Sequence, residues 1–290
     1  MGTLYLVATP IGNLEDITLR ALRVLREVRL IAAEDTRHTR KLLNHFEIAT
    51  RAISYHEHNK LSRLDDVLAA LVAGDVALVS DAGTPAVSDP GQELVRAVLD
   101  AGFAVVPIPG PSAAIAALIA SGLPTDQFTF VGFLPRRPTE RRAAIARVRD
   151  LPHTLILYEA PHRLLACLDD LLAELGDRPV AIARELTKVH EEMLRGSLTA
   201  LRERCAAGAG PRGEYTLVIA GAGQSPDTSI PARDATIITE DARSRLRALL
   251  ASGHSTRDAA AIVARDLAIP RRDAYRLALD AAGHPPSAPS

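Results

Sequence analysis

Polar side chains follow directly after apolar runs in the first third of the chain. Asp81 follows the run Val76–Val79, residues 34–38 follow Leu30–Ala33, and a polar loop at residues 55–60 follows a third short run. Carboxylates and imidazoles are groups that proteins use to transfer protons. Open α/β sheets bind ligands at the carboxyl ends of their strands. We therefore expect these side chains to lie around a cleft that binds a ligand.

Two of these polar clusters each have a functional and an ordinary interpretation. His56-Glu57-His58 is disfavoured as a metal pair because alternate residues at a strand end point to opposite sides and no third ligand is evident. A proton-exchanging loop and an ordinary solvated loop both remain open. Glu34 and Asp35 suit either a substrate-facing cluster or the cap of the next helix.

Two loops rich in Gly and Pro each connect an apolar run to a helical pattern. One covers residues 80–91 and the other covers residues 107–112. One such loop is typical of an ordinary turn, but two in one half of the chain indicate a rigid cleft for a small molecule. Residues 208–213 fit a dinucleotide-binding pattern, but they follow a helix and precede a strand, so we reject a nucleotide site there.

Composition limits the class of protein. The chain has 290 residues, 47% of them hydrophobic, which is enough for two domains. Two cysteines are too few for a disulfide framework, so we expect a reducing compartment. No basic leader precedes the first strand pattern, and the apolar run at residues 113–120 is too short to span a bilayer. We expect a cytoplasmic protein without a membrane segment.

Basic charge is concentrated locally although Lys and Arg total 34 against 35 Asp and Glu. One cluster at residues 136–149 includes Arg136, Arg137 and Arg141, and further Arg residues lie in the tail. A charge run usually forms a solvated helix face, but Arg clusters beside a cleft also suit the phosphates of a nucleic acid.

Strand and helix patterns alternate up to residue 222, with a pause near residue 122. This alternation predicts two α/β domains, residues 1–122 and 123–222, each a parallel or mixed sheet covered by helices. Residues 223–234 have the composition of a linker. Residues 235–290 show only helical patterns, with Ser255 as a candidate N-cap, and predict a helix-turn-helix-like extension, a motif that often, though not always, binds nucleic acid.

Several segments, taken together, carry a family signature. They are Leu4-Tyr-Leu-Val-Ala-Thr-Pro-Ile-Gly-Asn-Leu-Glu-Asp-Ile-Thr18, Ala33-Glu-Asp-Thr-Arg37, Ser54-Tyr-His-Glu-His-Asn59, Ser80-Asp-Ala-Gly-Thr-Pro85, Pro107-Ile-Pro-Gly-Pro-Ser112, Tyr158-Glu-Ala-Pro-His-Arg163 and Ala183-Arg-Glu-Leu-Thr-Lys188. In this order they resemble the tetrapyrrole methylase superfamily, in its branch that methylates ribosomal RNA. The match covers almost the whole chain.

The resemblance implies a cofactor, a substrate and an assembly. The cofactor is S-adenosylmethionine, bound in a cleft between two α/β domains. The substrate is the ribose 2'-hydroxyl of a cytidine in the decoding region of 16S rRNA, within the small ribosomal subunit, and the protein is a homodimer. No metal is implied.

The resemblance also implies roles for individual residues. The cofactor-binding residues carried over by position are Pro10, Asp81, Ala82, Gly83, Ser112, Tyr158, Arg184 and Leu186. Tetrapyrrole-specific relatives have a Gly-Pro-Gly-Asp type of loop where this chain has Thr9-Pro10-Ile11-Gly12-Asn13, which favours the RNA branch.

A ribose hydroxyl is a weak nucleophile until its proton leaves, so we expect a nearby base. The candidates are His56, Glu57, His58, Asp35 and Lys188. The residues that we expect to contact the substrate are Glu34, Arg37, Asn59, Arg136, Arg137 and Arg141.

Two other functions remain open from the sequence. A precorrin-type C-methyltransferase would use the same cofactor, and the Arg clusters would suit its acidic substrate, but the helical tail would have no role there. A non-catalytic nucleic-acid-binding protein would use the tail, but it would not need two rigid loops at strand ends.

The tail offers a first prediction. Deleting the residues after Ala232 is expected to leave binding of S-adenosylmethionine unchanged and to weaken methylation of RNA, because the tail is predicted to contact RNA only. Calorimetry with the cofactor and a methylation assay on both forms provide the measurements. Loss of cofactor binding in the shortened protein would show that the tail is structural instead.

Overall fold

The computed structural model describes residues 2–56, 60–207, 212–224, 235–267 and 271–282. Its contacts separate into two compact units, Met1–Pro226 and Asp227–Ser290. The first unit contains two α/β halves, each with its own sheet, and the second contains the helical tail. The boundaries expected from the sequence at residues 122, 222 and 234 stay predictions.

The elements alternate along the first unit and are all helical in the second. The strands are β1 (Thr3–Val7), β2 (Leu30–Ala33), β3 (Ala52–Ser54), β4 (Val76–Val79), β5 (Ala104–Ile108), β6 (Phe128–Phe133), β7 (Thr154–Glu159), β8 (Pro179–Arg184), β9 (Glu192–Ser197) and β10 (Tyr215–Ile219). The helices are α1 (Leu19–Glu27), α2 (Thr36–His45), α3 (Lys60–Ala73), α4 (Gln92–Asp100), α5 (Ala113–Ser121), α6 (Pro138–Val148), α7 (Leu164–Leu175), α8 (Leu198–Ala207), α9 (Ala235–Ala251), α10 (Thr256–Asp266) and α11 (Arg271–Ala282).

The first sheet is entirely parallel, with the strand order β3-β2-β4-β1-β5. Every residue of β2 and β4 is buried, because hydrophobic clusters cover both faces of the sheet. Such continuous apolar strands are typical of parallel sheets covered by helices. The carboxyl ends of β2, β4 and β1 lie next to one another, which brings the loops that follow them to a single edge.

The second sheet is mixed, with the strand order β6-β7-β10-β8-β9, and only β6 and β7 are parallel neighbours. Successive side chains along β7 point to opposite faces of this sheet and pack in two different hydrophobic clusters. Leu155 and Leu157 of β7 face one hydrophobic cluster, and Ile156 between them faces the other. The α/β architecture with two helix-covered sheets, expected from the alternation, is therefore confirmed.

Helix α5 packs against the second sheet although it precedes the expected boundary at residue 122. Its Ala114, Ala117 and Leu118 share a core with Ile156 and Val218. Small side chains let the helix backbone approach the strands closely. The two halves are thus joined by packing as well as by the chain.

Arg141 is a buried structural residue, which corrects its expected role in substrate binding. Its guanidinium forms an ion pair with Asp170 at 2.6 Å, and both side chains are at most 6% exposed. The second carboxylate oxygen of Asp170 accepts a hydrogen bond from Arg142 at 2.6 Å. Burial alone would raise the pKa of Asp170, but hydrogen bonds from the two arginines outweigh it and lower that pKa. Arg141 is therefore not available to an RNA phosphate.

The second unit is a small helical bundle, as the sequence predicts. Its core consists of Ala and Leu or Val side chains from α9, α10 and α11. Ser255 caps α10 by accepting a hydrogen bond from the Asp258 backbone at 3.1 Å, which confirms the predicted N-cap. Within the described ranges, no helix combines the length and the apolar content needed to cross a membrane.

The buried ion pair in the second half gives a stability prediction. Asp170→Ala is expected to lower the free energy of unfolding by about 3–5 kcal/mol, because it leaves Arg141 buried without a counter-charge. The measurement is urea denaturation followed by circular dichroism.

Asp169→Ala is the matched control on the same helix, because its ion pair with Arg202 is exposed. That control is expected to cost about 1 kcal/mol or less. Equal losses in the two variants would contradict a structural role for the Arg141–Asp170 pair.

Candidate functional site

The site is built at the carboxyl edge of the first sheet, where the loops after β1 and β4 are joined. Thr9 and Gly83 exchange two backbone hydrogen bonds, of 2.8 and 3.0 Å. Gly83 has a φ of +78°, in the left-handed region that favours glycine. The backbone conformation at this bridge therefore favours a glycine at position 83. The bridge holds the Asp81 loop against the loop that contains Pro10.

The loops after β2 and β4 are crosslinked by the carboxylates of Asp81 and Glu34. Asp81 accepts a hydrogen bond from the Asp35 backbone at 3.0 Å, and the Asp81 backbone donates to Glu34 at 3.3 Å. Asp35 in turn caps α2 by accepting from the Arg37 backbone at 2.8 Å. The capping role that the sequence left open for Asp35 is therefore present.

A first cleft of about 500 Å³ lies between the two halves of the first unit, a size typical of small-molecule sites. It is lined by residues from both sheets. These are Ile11, Glu34, Asp81, Ala82, Gly83, Thr84, Val87, Ser88, Asp89, Ser112, Ala113, Phe133, Tyr158, Glu159, Ala160, Pro161, His162, Ala183, Leu186, Glu214, Tyr215 and Thr216.

A second cleft of about 380 Å³ adjoins the first. The two share Ile11, Asp81, Ala82 and Glu214 as lining residues. The second cleft is otherwise lined by Thr9, Pro10, Gly12, Leu14, His38, Thr39, Lys41, Leu42, Ser80 and Lys188. Asp81 therefore stands at the junction of the two clefts.

The first cleft is acidic. Burial raises the pKa of Asp89 to about 7, and repulsion from Glu34 and Asp81 adds to this effect, while a hydrogen bond from Ser80 opposes it. Burial also raises the pKa of Glu34, opposed by the hydrogen bond from the Asp81 backbone. The carboxylates of Glu34, Asp81 and Asp89, close together in one partly dehydrated cleft, favour a ligand that carries positive charge.

The second half supplies the opposite wall of the first cleft. Tyr158 lies on β7, and its hydroxyl accepts a hydrogen bond from the Ala114 backbone at 3.1 Å, near the N-terminus of α5. Burial raises the pKa of this phenol. Ser112, the residue that precedes α5, makes no side-chain capping bond. The N-terminus of α5, with its first backbone N–H groups, therefore lies at the first cleft.

The loop after β8 reaches across to the loop after β1. The Asn13 backbone donates a hydrogen bond of 3.0 Å to the Thr187 hydroxyl. Glu185 and Thr187 have positive φ values of 51° and 66°, an uncommon conformation for side chains other than Gly. Such backbone strain is concentrated at functional sites in many proteins. The strained loop brings Leu186 into the first cleft and Lys188 into the second.

Several residues predicted from the sequence do line these clefts. The first cleft contains Glu34, Asp81, Ala82, Gly83, Ser112, Tyr158 and Leu186. The second contains Pro10 and Lys188. Lys188 is ion-paired with Glu185 at 2.9 Å and Glu214 at 2.7 Å. Burial would lower the pKa of Lys188, but these two partners outweigh it and raise that pKa.

Other predicted residues lie outside both linings. Arg184 donates a hydrogen bond to the Arg212 carbonyl at 3.0 Å, and the exposed Arg37 binds Asp35 at 2.7 Å. His56 also lines neither cleft, and Arg136 and Arg137 are exposed before α6. Glu57, His58 and Asn59 are outside the described residues.

Sequence reasoning missed Asp89 and His38 as site residues, although both stand within segments that it had singled out. Asp89 lies eight residues beyond Asp81 in the same loop, and His38 lies in the first turn of α2. His162 likewise lies within the quoted segment at residues 158–163. Phe133 and Glu214 carry no comparable signal, because only the fold brings them to the cleft. Among the described residues, no three His, Cys, Asp or Glu side chains are placed so that they could hold a metal ion together.

Two family models match the chain. The model for Tetrapyrrole (Corrin/Porphyrin) Methylases matches residues 3–202, and the model for the RsmI C-terminal HTH domain matches residues 236–282. The first match contains most residues that line the two clefts. The second coincides with the helical unit.

The chain is similar over almost its full length to curated proteins called ribosomal RNA small subunit methyltransferase I. The protein from Halalkalibacterium halodurans is 50% identical over 277 residues, which cover 95% of this chain and 94% of that protein. The protein from Synechocystis sp. is 51% identical over 282 residues, which cover 97% and 98%. The protein from Bacillus subtilis is 43% identical over 276 residues, which cover 95% and 93%.

Solved structures share the fold of the first unit. Uroporphyrin-III-C-methyltransferase from Thermus thermophilus is 24% identical, with a TM-score of 0.54, covering 76% of this chain and 94% of that chain. A structure of Uroporphyrin-III C-methyl transferase from the same organism, complexed with S-adenyl homocysteine, is 22% identical, with a TM-score of 0.51 and coverages of 75% and 97%. At these identities the likeness concerns the fold alone.

The acidic first cleft gives a titration prediction. The Asp89 carboxyl is expected to titrate with a midpoint of about 7, observed by carbon-detected NMR of the free protein. Glu34→Gln is expected to lower this midpoint, because it removes a neighbouring negative charge while the burial remains.

Glu15→Gln, on the exposed turn after β1, is the control and is expected to leave the midpoint unchanged. A midpoint for Asp89 near the ordinary value of about 3.9 would contradict the electrostatic description of the cleft.

Proposed function

The chain belongs to the tetrapyrrole methylase family, and on this premise we propose that it methylates 16S rRNA with S-adenosylmethionine as the donor. The target is the 2'-hydroxyl of a cytidine ribose in the decoding region. The observation that carries the proposal is the likeness to the rRNA methyltransferases, which extends through both α/β halves and the helical unit.

The first cleft has the chemistry that this donor requires. S-adenosylmethionine supplies a methyl group on a positively charged sulfur, and it also carries an ammonium and a carboxylate. Glu34, Asp81 and Asp89 offer negative charge to the cationic groups. The start of α5, at Ser112 and Ala113, offers backbone N–H groups that favour the carboxylate. We assign Asp81, Ala82, Gly83, Ser112, Tyr158 and Leu186 to the donor site.

The acidic lining also favours release after the reaction. Transfer of the methyl group removes the positive charge from the sulfur, so the product loses part of its attraction to the three carboxylates. The raised pKa values of Asp89 and Glu34 fit a site whose charge is balanced only when a cation is bound.

The second cleft is the proposed acceptor site. It meets the first at Asp81 and Ala82, so a ribose held there lies next to the donor. Methyl transfer is an in-line displacement, and alignment of the two reactants supplies much of its rate. Lys41 places positive charge at this cleft, which suits an RNA phosphate. Arg136 and Arg137 are proposed to extend this contact.

The helical unit is the proposed second contact with rRNA, and the relatives' name supports the rRNA of the small subunit as the substrate. A homodimer and a cytoplasmic location belong to the same proposal. A precorrin-type methyltransferase is disfavoured because a small substrate has no use for residues 236–282.

The test uses the full chain with methyl-labelled donor and small ribosomal subunits that lack the modification. Label is expected in 2'-O-methylcytidine after digestion of the rRNA to nucleosides. A precorrin-type tetrapyrrole serves as the competing substrate. Label in the tetrapyrrole, in a base or in another nucleoside would overturn the assignment.

A further inference from the structure

His38 is a titratable side chain that faces the second cleft and that the sequence did not single out. It lies in the first turn of α2, and Lys41 and Leu42, three and four residues later, line the same cleft. This spacing places the three side chains on one helix face. The side chain of His38 is 60% exposed, so its ring is open to a ligand.

The ring of His38 lies beside the residue at the junction of the two clefts. Its Nδ1 is 3.8 Å from Oδ2 of Asp81, while Oδ1 of Asp81 accepts the hydrogen bond from the Asp35 backbone. The distance exceeds that of a hydrogen bond, and such contacts commonly tighten when substrate binds. A carboxylate beside Nδ1 favours the tautomer that carries its proton there, which leaves the lone pair of Nε2 for the cleft.

The other described candidates for a base are poorly suited. Asp35 is bound on both oxygens by Arg37, which holds its pKa well below the usual range. Lys188 is an ammonium held between two glutamates, with a raised pKa, so it offers no lone pair. His56 lines neither cleft.

We propose that His38 is the general base of the methyl transfer and that Asp81 positions it. This inference rests on the proposed function, because it needs a ribose hydroxyl as the acceptor. Nε2 of His38 takes the proton of the 2'-hydroxyl as the oxygen–methyl bond forms. The sulfur–methyl bond breaks, and its electron pair stays on the sulfur. The imidazolium then releases the proton to solvent.

The kinetic test measures single-turnover methylation of small subunits at saturating donor and RNA. His38→Gln is expected to lower the rate about 100-fold or more, with donor affinity measured by calorimetry within twofold of wild type. His38→Ala is expected to regain part of the rate when imidazole is added. His45→Gln is the matched control, because His45 is exposed two turns further along α2, and it is expected to keep the wild-type rate.

A second readout does not depend on activity. Nitrogen NMR of the free protein is expected to show the neutral His38 ring with its proton on Nδ1, and Asp81→Asn is expected to shift the proton toward Nε2. A proton on Nε2 in the wild type would overturn the positioning role of Asp81.

Two kinetic outcomes are distinguishable. If the wild-type protein labels the cytidine ribose and His38→Gln does so at a similar rate, the assignment of His38 is overturned while the proposed function stands. If the wild-type protein transfers no methyl group to the ribose, the proposed function is overturned and the assignment of His38 with it.

Discussion

The crosslink around Asp81 is the interaction on which the rest of the site depends. Its carboxylate holds the start of α2 through the Asp35 backbone, and its own backbone donates to Glu34. The bridge between Thr9 and Gly83 fixes the same loop against the end of β1. These hydrogen bonds hold together the loops that follow β1, β2 and β4 of the parallel sheet. The loops held together in this way line both clefts, which meet at Asp81.

The charged groups differ between the two clefts at this edge of the sheet. The first cleft has an excess of carboxylates, two of them with raised pKa values, and it suits a cationic donor. The second cleft adds His38 and Lys41, which suit an anionic RNA backbone with a hydroxyl to be deprotonated. Asp81 takes part in both environments. A single carboxylate can therefore link donor binding to the orientation of the proposed base.

The sequence alone predicted the features that depend on residues close together in the chain. Apolar runs followed by Asp81 or Glu34 predicted strand ends, and the alternation of elements predicted two α/β halves. Sequence patterns could not tell Arg141 from Arg137, because burial of Arg141 depends on Asp170, which lies 29 residues away on another helix. They could not predict that α5 covers the second sheet, since small apolar residues suit either sheet. The distance between His38 and Asp81 likewise follows from the pairing of β2 with β4.

A double-mutant cycle between His38 and Asp81 tests the central claim most directly. The rates of single-turnover methyl transfer are measured at saturating donor and small subunits for wild type, His38→Gln, Asp81→Asn and the double variant. If Asp81 acts on the reaction by positioning His38, the double variant is about as slow as His38→Gln alone, because removal of the base leaves nothing to position. Rate losses that multiply in the double variant would contradict the account.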